Sequence, residues 1–505
     1  MAETKREIER KYEATEGLAL PDLSKVGGVA AVLDKGVVDL DATYYDTADL
    51  RLAASARTLR RRTGGDDAGW HLKLPVSDGV RDEVHAPLSA QVPRALAGLV
   101  RSRVRDAELL PVVRLRSARD VRHLVDADGA LLAEVSVDAV RADRLNGGEG
   151  SAEWTEIEVE LADGRDPAFL DKVEKRLRKA GVAPAGSASK LARALAETGA
   201  KPRKARSARA PKPVTAGDHV LAYLRAQRDA IVALDPAVRS DEPDSVHQMR
   251  VATRRLRSAF RSYRKVLDRG VTDPIGDELK WLAGELGVDR DREVLTERIQ
   301  AALGELPRAL VTGPVRGRLR TWSAARRSGS RRHLIAVLDG RRYLAVLDTL
   351  DALLADPPLR AAAAEPPQGI LAKAVLRDYD RLAELVAQAL DAAPGTDRDL
   401  AMHEARKKAK RTRYAAEAAT PALGKPAKRL AGHAKELQGL LGEHQDSVMC
   451  RLALRDLAAQ AHAAGESAFT YGLLYGREEL RAADCERELP GLSPQKHPRY
   501  AADLA

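Results

Sequence analysis

Cysteine is nearly missing from this chain: there are two among 505 residues, Cys450 and Cys485. Two thiols cannot staple a small secreted scaffold, so they are expected to pack as small apolar side chains in a reducing cytosol. Aromatic residues make up only 4%, with three phenylalanines. That leaves few platforms for stacking bases and weighs against single-stranded nucleic acid as a partner. No apolar run reaches the ~18 residues that a membrane span needs, and Met1 to Lys5 carry no apolar leader segment. The expectation is a cytoplasmic protein with no membrane partner.

Charge is plentiful and unevenly placed. Residues 1–200 hold 31 Lys and Arg against 34 Asp and Glu, a net of −3. The rest holds 84 − 31 = 53 basic and 74 − 34 = 40 acidic residues, a net of +13. A polyanion is the natural partner for such a second half. Between the halves, residues 201–214 carry prolines and basic residues with no acid and no apolar period, and read as a linker.

Before the linker the pattern is one of strands. Runs at 5–13, 58–62, 70–74, 81–85, 112–116, 120–125, 131–140 and 154–161 alternate, and Tyr44–Asp46 lies in another β-prone stretch. Gly64-Gly65-Asp66-Asp67 and Asp128-Gly129 are placed as hairpin turns. Helices are expected over 93–101 and 167–180. Many antiparallel strands with few helices suggest a barrel or sandwich. In strand geometry Glu7, Glu9 and Lys11 share one face. Two carboxylates and an ammonium make a poor core, but they suit a divalent metal and an anion. Glu156, Glu158 and Glu160 repeat the same parity. Glu134 and Asp138 are weaker candidates, with pairing to an arginine as the simpler reading.

After the linker the chain turns helical, with apolar residues at 3–4 spacing. It also repeats. His247-Gln248-Met249-Arg250 opens one copy and His403-Glu404-Ala405-Arg406 the other; Arg254, Arg255 and Arg257 match Lys410, Arg411 and Arg413. A second block, Lys280 to Gly287, matches Lys435 to Gly442, and Asp291 then matches Asp446, while Asp289 stands where His444 does. His247, Arg250, Arg254, Arg257 and Arg261 fall on one helical stripe, and His403, Arg406, Lys410 and Arg413 repeat it. Adjacent cations repel, so such stripes carry a cost unless an anion neutralises them.

These residues resemble two known families. Glu7-x-Glu9-x-Lys11, Tyr45-Asp46-Thr47, Leu59 to Arg62, Leu72-Lys73, Arg81-x-Glu83, Arg119, Glu156 to Glu160 and Ser189-Lys190 resemble the CYTH domain of the triphosphate tunnel metalloenzymes. The helical repeat resembles the CHAD domain. The resemblance implies an α+β multidomain chain. Residues 1–200 would form an eight-stranded antiparallel β-barrel enclosing a tunnel. Residues 215–495 would form an all-α domain of two repeated four-helix bundles, at about 215–355 and 370–495. It implies Mg²⁺ or Mn²⁺ held by Glu7, Glu9 and one or two of Glu156, Glu158 and Glu160, with Glu7, Glu9 and Lys11 central to catalysis. A triphosphate would be gripped by Lys11, Arg60, Arg62, Lys73, Arg119 and Lys190. The arginine near 114–122 could be Arg114, Arg116 or Arg119, spacing favouring Arg119. For the helices it implies polyphosphate binding through His247, Arg250, Arg254, Arg255, Arg257, Arg261, His403, Arg406, Lys407, Lys410, Arg411 and Arg413, and a place at polyphosphate granules. The expected activity is hydrolysis of inorganic triphosphate or short polyphosphate. Alternatives are a non-catalytic polyphosphate binder, an adenylate cyclase and a thiamine triphosphatase.

Overall fold

The computed structural model describes residues 3–14, 20–199, 212–287, 290–324 and 327–504. The chain divides into two compact units, Met1–Ala210 and Pro211–Ala505. Most of the expected linker, residues 201–211, lies outside the described residues.

The first unit is a closed antiparallel barrel of β1 (Glu3–Ala14), β2 (Ala31–Asp46), β3 (Thr58–Thr63), β4 (Gly69–Ser77), β5 (Val80–Ala86), β6 (Leu110–Val125), β7 (Leu131–Arg144) and β8 (Ser151–Leu161). The strand order is β1-β5-β4-β3-β2-β6-β7-β8. Residues 3–8 of β1 pair with β5 and residues 9–14 with β8, which closes the ring. Three helices join it: α1 (Arg94–Val104), α2 (Ala168–Lys179) and α3 (Lys190–Glu197). The runs at 112–116 and 120–125 are one strand, β6. The interruption at Ser117-Ala118 hides the continuity in the sequence, but pairing with β2 and β7 runs straight through it. Gly64 turns the β3–β4 hairpin at φ +83°, and a Cβ there would collide with the Asp39 carbonyl.

Alternation sorts this barrel in an unusual sense: apolar side chains face out and charged ones face in. Leu59, Trp70, Leu72 and Val84 pack outward beneath Leu96, Leu99 and Val100 of α1. Val135, Ile157 and Val159 pack beneath Phe169, Leu170, Val173 and Leu177 of α2. Each such side chain contributes about 1.5–3 kcal/mol on burial. The helices therefore supply the core that a barrel normally keeps inside, which leaves the lumen to polar groups. At one end the lumen turns apolar. Ala42, Tyr44, Val113, Leu115, Val140, Ala142 and Trp154 pack against Leu191, Ala194 and Leu195 of α3, which stoppers it.

The helical unit comprises α4 (Ala216–Arg239), α5 (Ser245–Ser262), α6 (Arg269–Glu285), α7 (Arg290–Gly304), α8 (Val315–Ala324), α9 (Arg327–Asp339), α10 (Arg341–Ala355), α11 (Pro367–Asp391), α12 (Thr396–Leu423), α13 (Lys425–Ala463), α14 (Phe469–Leu492) and α15 (Arg499–Ala502). Thr215 and Asp218 form a reciprocal capping box at the start of α4. One core joins α4, α5, α6 and α10 to α11, α12 and the first half of α13. A second joins α7 and α8 to the rest of α13 and α14, and includes Cys450. Both cysteines are buried and unpaired.

The repeat is visible in three dimensions. Arg250 of α5 lies over Gly287, where a Cβ would come 2.6 Å from its Nη2. Arg406 of α12 lies over Gly442, where a Cβ would come 3.5 Å from its Nη2. The two conserved-spacing blocks thus meet in both copies. α6 ends near the first glycine, whereas α13 runs through the second as one 39-residue helix. Asp289, and the side chain of Asp291, lie outside the described residues.

Candidate active site in the barrel and a basic site in the helices

The lumen of the barrel is a cavity of about 900 Å³. Its walls include Glu7, Glu9, Lys11, Arg60, Arg62, Lys73, Arg119, Glu158, Glu160 and Lys190. Glu156 sits deeper, 4% exposed. Register explains the convergence. Glu9 lies opposite Glu160, and Lys11 opposite Glu158. Glu158 faces Ser136, and Glu156 faces Asp138, across β7. Cross-strand partners share a face, so same-parity charges on four strands project inward together.

Glu158 is the hub. It pairs closely with Lys11, receives Lys190 Nζ at 2.6 Å and accepts from Arg119 Nη2 at 2.8 Å. Burial opposes its ionisation, yet Lys11, Lys190 and Arg119 hold its carboxyl well below the usual range. Lys190, at the first turn of α3, also reaches Asp138 and Glu156, each at 2.9 Å. These carboxylates outweigh burial and raise its pKa. Asp138 is fully buried and holds Arg119 in a two-pronged pair at 2.7 and 2.8 Å. Arg114 and Arg116 point the other way, to Asp41 at 2.5 Å and Asp143 at 2.5 Å. Parity separates them: 114 and 116 are even, 119 is odd.

A second group surrounds Glu7. Lys73 Nζ lies 2.5 Å from Glu7 and 3.9 Å from Glu83, and Arg60 lies 3.6 Å from Glu83. Burial raises the Glu7 carboxyl, and a hydrogen bond with Glu83 raises it further. Glu83 moves the opposite way: burial opposes its ionisation, but Lys73 and His71 favour it. The two neighbouring carboxyls are thus pushed in opposite directions and titrate as a pair. Burial, with Arg60 and Arg119 nearby, presses Arg62 down to about 9, although Asp67 pairs with it. His71 is pushed down to about 4 by burial and stays neutral. Glu160 stands nearer the mouth, paired with Lys5 at 2.9 Å and 31% exposed, apart from Glu156 and Glu158.

The sequence offered Asp138 only as a weaker candidate beside Glu134 and gave Arg81 and Glu83 no role beyond their motif; His71 was not singled out. Arg81 lies 3.3 Å from Glu9. The signal was available for β5, where Arg81, Glu83 and His85 alternate like Glu7, Glu9 and Lys11.

The lumen carboxylates are of the type a hard divalent cation takes, and Lys190 Nζ lies against three of them, 2.9 Å from Asp138, 2.9 Å from Glu156 and 2.6 Å from Glu158. Oxygens of Asp138, Glu156 and Glu158 lie within 4.8 Å of one another. Glu9 Oε1 is buried and accepts no hydrogen bond. Carboxylate oxygens in such a group suit Mg²⁺ or Mn²⁺.

In the helical unit the two stripes come together. Arg254 is half-buried near Arg250 and Arg406, with Tyr414 beside it. Burial lowers Lys410 to about 8, and Arg406, Arg254 and Arg250 push the same way. Asp446 lies 3.4 Å from Arg406. His403 bonds Gln445 at 2.6 Å, and His247 sits at the start of α5. Arg257, Arg261 and Arg411 line a separate cavity of about 380 Å³. Arg255 pairs with Glu417 at 2.9 Å and Arg413 with Glu417 at 2.7 Å, both beside the Tyr414 ring. Lys407 is exposed and pairs with Glu404 one turn away. The twelve residues thus form a central cluster, a side cavity and an outlying fringe. Among the described residues no helix is long and apolar enough to cross a membrane.

Comparison with known proteins agrees with this division. The CYTH domain model matches residues 5–195 and the CHAD domain model residues 222–455. Uncharacterized proteins from two strains of Mycobacterium tuberculosis are each 40% identical over 501 residues, covering 96% of this chain and 94% of theirs. The solved structure of PptA from Streptomyces chartreusis is 22% identical with a TM-score of 0.47, covering 55% of this chain and 99% of that one. The CHAD domain from the plant Ricinus communis is 26% identical with a TM-score of 0.43, covering 55% and 92%. With a CYTH barrel followed by a CHAD helical unit, the chain belongs to the CYTH and CHAD domain families.

Proposed function

We propose that the barrel hydrolyses inorganic triphosphate or short polyphosphate with Mg²⁺ or Mn²⁺, and that the helical unit binds polyphosphate. The observation that carries the reading is the lumen itself. Arg60, Arg62, Lys73, Arg119 and Lys190 converge in one cavity with buried carboxylates. As a structural core this would be a poor choice, because desolvating so many ions costs more than their pairing returns. As a site for a polyanion and a cation it is well composed.

Arg60, Arg62 and Lys73 would bind phosphate oxygens and orient the chain, while Arg119, held in place by Asp138, would face the charge that develops at phosphorus. Glu9, ionised because Lys11 and Lys73 outweigh burial, has an oxygen, Oε1, that accepts no hydrogen bond and lies 3.3 Å from Arg81; it would orient an attacking water. The metal would be held by Asp138, Glu156 and Glu158 with Glu9, and would supply charge neutralisation at the phosphate oxygens. The α3 stopper implies entry from the Lys5 and Glu160 end, so a chain would enter end-on. The lumen rings support a phosphate-only substrate over one carrying a base. Tyr44 sits 3.4 Å from Arg60, and His71 and His85 pack on each other at 4.9 Å. Phosphate release from triphosphate, compared with ATP and thiamine triphosphate, tests the reading.

Polyphosphate binding should depend on pH through Lys410. Its pKa is lowered to about 8, and a nearby polyanion would raise it again. Binding therefore takes up a proton: affinity is full below about pH 8 and weakens as pH rises above it. Binding isotherms at about pH 7 and about pH 9.5 should show this decline in the native chain. Lys410→Arg, whose charge does not titrate in this range, should abolish it. An identical decline in both would remove Lys410 from the site.

A further inference from the structure

We propose that Asp399, His444 and Glu486 form a binding site for a divalent transition-metal ion of zinc type in the helical unit, tying α12, α13 and α14 together. The three residues lie in the first turn of α12, the middle of α13 and the second half of α14. One ligand atom from each lies within 4.8 Å of the others. His444 is 1% exposed, and its Nε2 makes no hydrogen bond. That nitrogen points between Asp399 Oδ1 at 3.4 Å and Glu486 Oε1 at 3.5 Å.

Those separations decide between two readings. A buried imidazole that simply donated to a carboxylate would approach one oxygen to about 2.7–3.0 Å. Two ligand atoms around a tetrahedral ion with bonds of about 2.1 Å stand about 3.4 Å apart. The observed spacing matches the second case for both carboxylates at once.

The surroundings are also those of a ligand set. Each carboxylate offers one oxygen to His444 and is anchored elsewhere by an arginine. Arg451 lies 3.3 Å from Asp399 Oδ2, and Arg398 lies 2.7 Å from Glu486 Oε2. Glu479 lies 3.8 Å from Arg451. Outer partners of this kind fix the orientation of ligands. Asp399 and Glu486 are 22% and 24% exposed, which gives an ion access from solvent. One imidazole with two carboxylates suits Zn²⁺ better than Mg²⁺, and three protein ligands leave a further position for water. Asp289 stands at the equivalent place in the first copy, so only the second copy offers the imidazole. The site is therefore distinct from the barrel's all-carboxylate set, and among the described residues it is the one such group that includes an imidazole.

The test uses the full chain, stripped with a chelator and titrated with Zn²⁺ by equilibrium dialysis. Native protein should bind one more tight equivalent than His444→Ala, whatever the barrel contributes to both. Asp399→Asn and Glu486→Gln, which keep side-chain shape, should each weaken that equivalent by more than roughly tenfold. Co²⁺ substituted at the site should give a visible ligand-field band that His444→Ala lacks. If the alanine variant does not fold, the two isosteric variants decide. Native Zn²⁺ stoichiometry and affinity in the folded variants would overturn the proposal.

Discussion

Glu158→Gln is expected to lower the turnover of triphosphate by about 10²–10³-fold, the scale seen when one preorganised electrostatic group is removed from an active site. Three cations, Lys11, Lys190 and Arg119, are gathered on this carboxylate. Glutamine keeps the volume and one acceptor oxygen but removes the charge. Lys190 would still be held by Asp138 and Glu156, and Arg119 by Asp138. Lys11 would retain only Glu9, at 3.3 Å. The lumen would become more positive, so triphosphate should bind at least as tightly as before while kcat collapses. That split separates a reacting-centre role from a structural one. A merely structural glutamate would lower stability and leave kcat of the folded fraction intact. Without ligand the variant should melt lower, because buried cations have lost a partner. Added triphosphate should recover much of that loss, since a ligand that binds only the folded state stabilises it. Steady-state kinetics together with thermal melts in the presence and absence of triphosphate read all three effects.

Replacing Arg254 and Lys410 together with glutamine should weaken polyphosphate binding roughly 100-fold at low salt. Charge-assisted hydrogen bonds contribute about 1.5–3 kcal/mol each, and every 1.4 kcal/mol is tenfold. The native chain's affinity should also fall steeply with salt, as phosphate contacts release counterions, and the double variant should show a shallower slope. Stability should move the other way. Burial and neighbouring cations lower the pKa of both groups, so both are charged at a cost to the fold. Removing them relieves repulsion, and Tm should hold or rise. A solvated face with no ligand would show no change in binding. A structural cluster would show a lower Tm. Filter binding with long-chain polyphosphate and a thermal melt distinguish these outcomes.

Local pattern carried much of this fold, and long-range pairing carried the rest. The alternation of Glu7, Glu9 and Lys11 shows which side chains share a face, because strand period is a local property. It does not show whether that face points inward. Only ring closure, with α1 and α2 covering the opposite face, determines that. The choice among Arg114, Arg116 and Arg119 turned on β6 being one strand, since parity then sends the first two outward. Ser117 and Ala118 broke the apolar pattern and concealed it. Asp138 looked like a simple partner for an arginine, and it is one. Its place beside Glu156 and Glu158 follows from β7–β8 register, which no single strand encodes. α3 has eight residues after a Gly- and Ser-rich stretch, too short for a clear helical period. It nevertheless delivers Lys190 and closes the barrel. In the helical unit, i, i+3, i+7 spacing made each basic stripe legible. That Arg254 of one copy meets Arg406 and Lys410 of the other depended on how the copies interlock. His444 carried no local signal, because its partners come from two other helices.

The central claim is that this lumen cleaves phosphoanhydride bonds of a chain without a base. The most direct measurement is phosphate release by the full chain, with Mg²⁺ or Mn²⁺, from inorganic triphosphate, ATP and thiamine triphosphate side by side. The account predicts metal-dependent turnover, fastest on inorganic triphosphate, and loss of it in Glu9→Gln and Lys73→Ala variants that remain folded. Absence of phosphate release with either metal, or turnover unchanged in those variants, would contradict it.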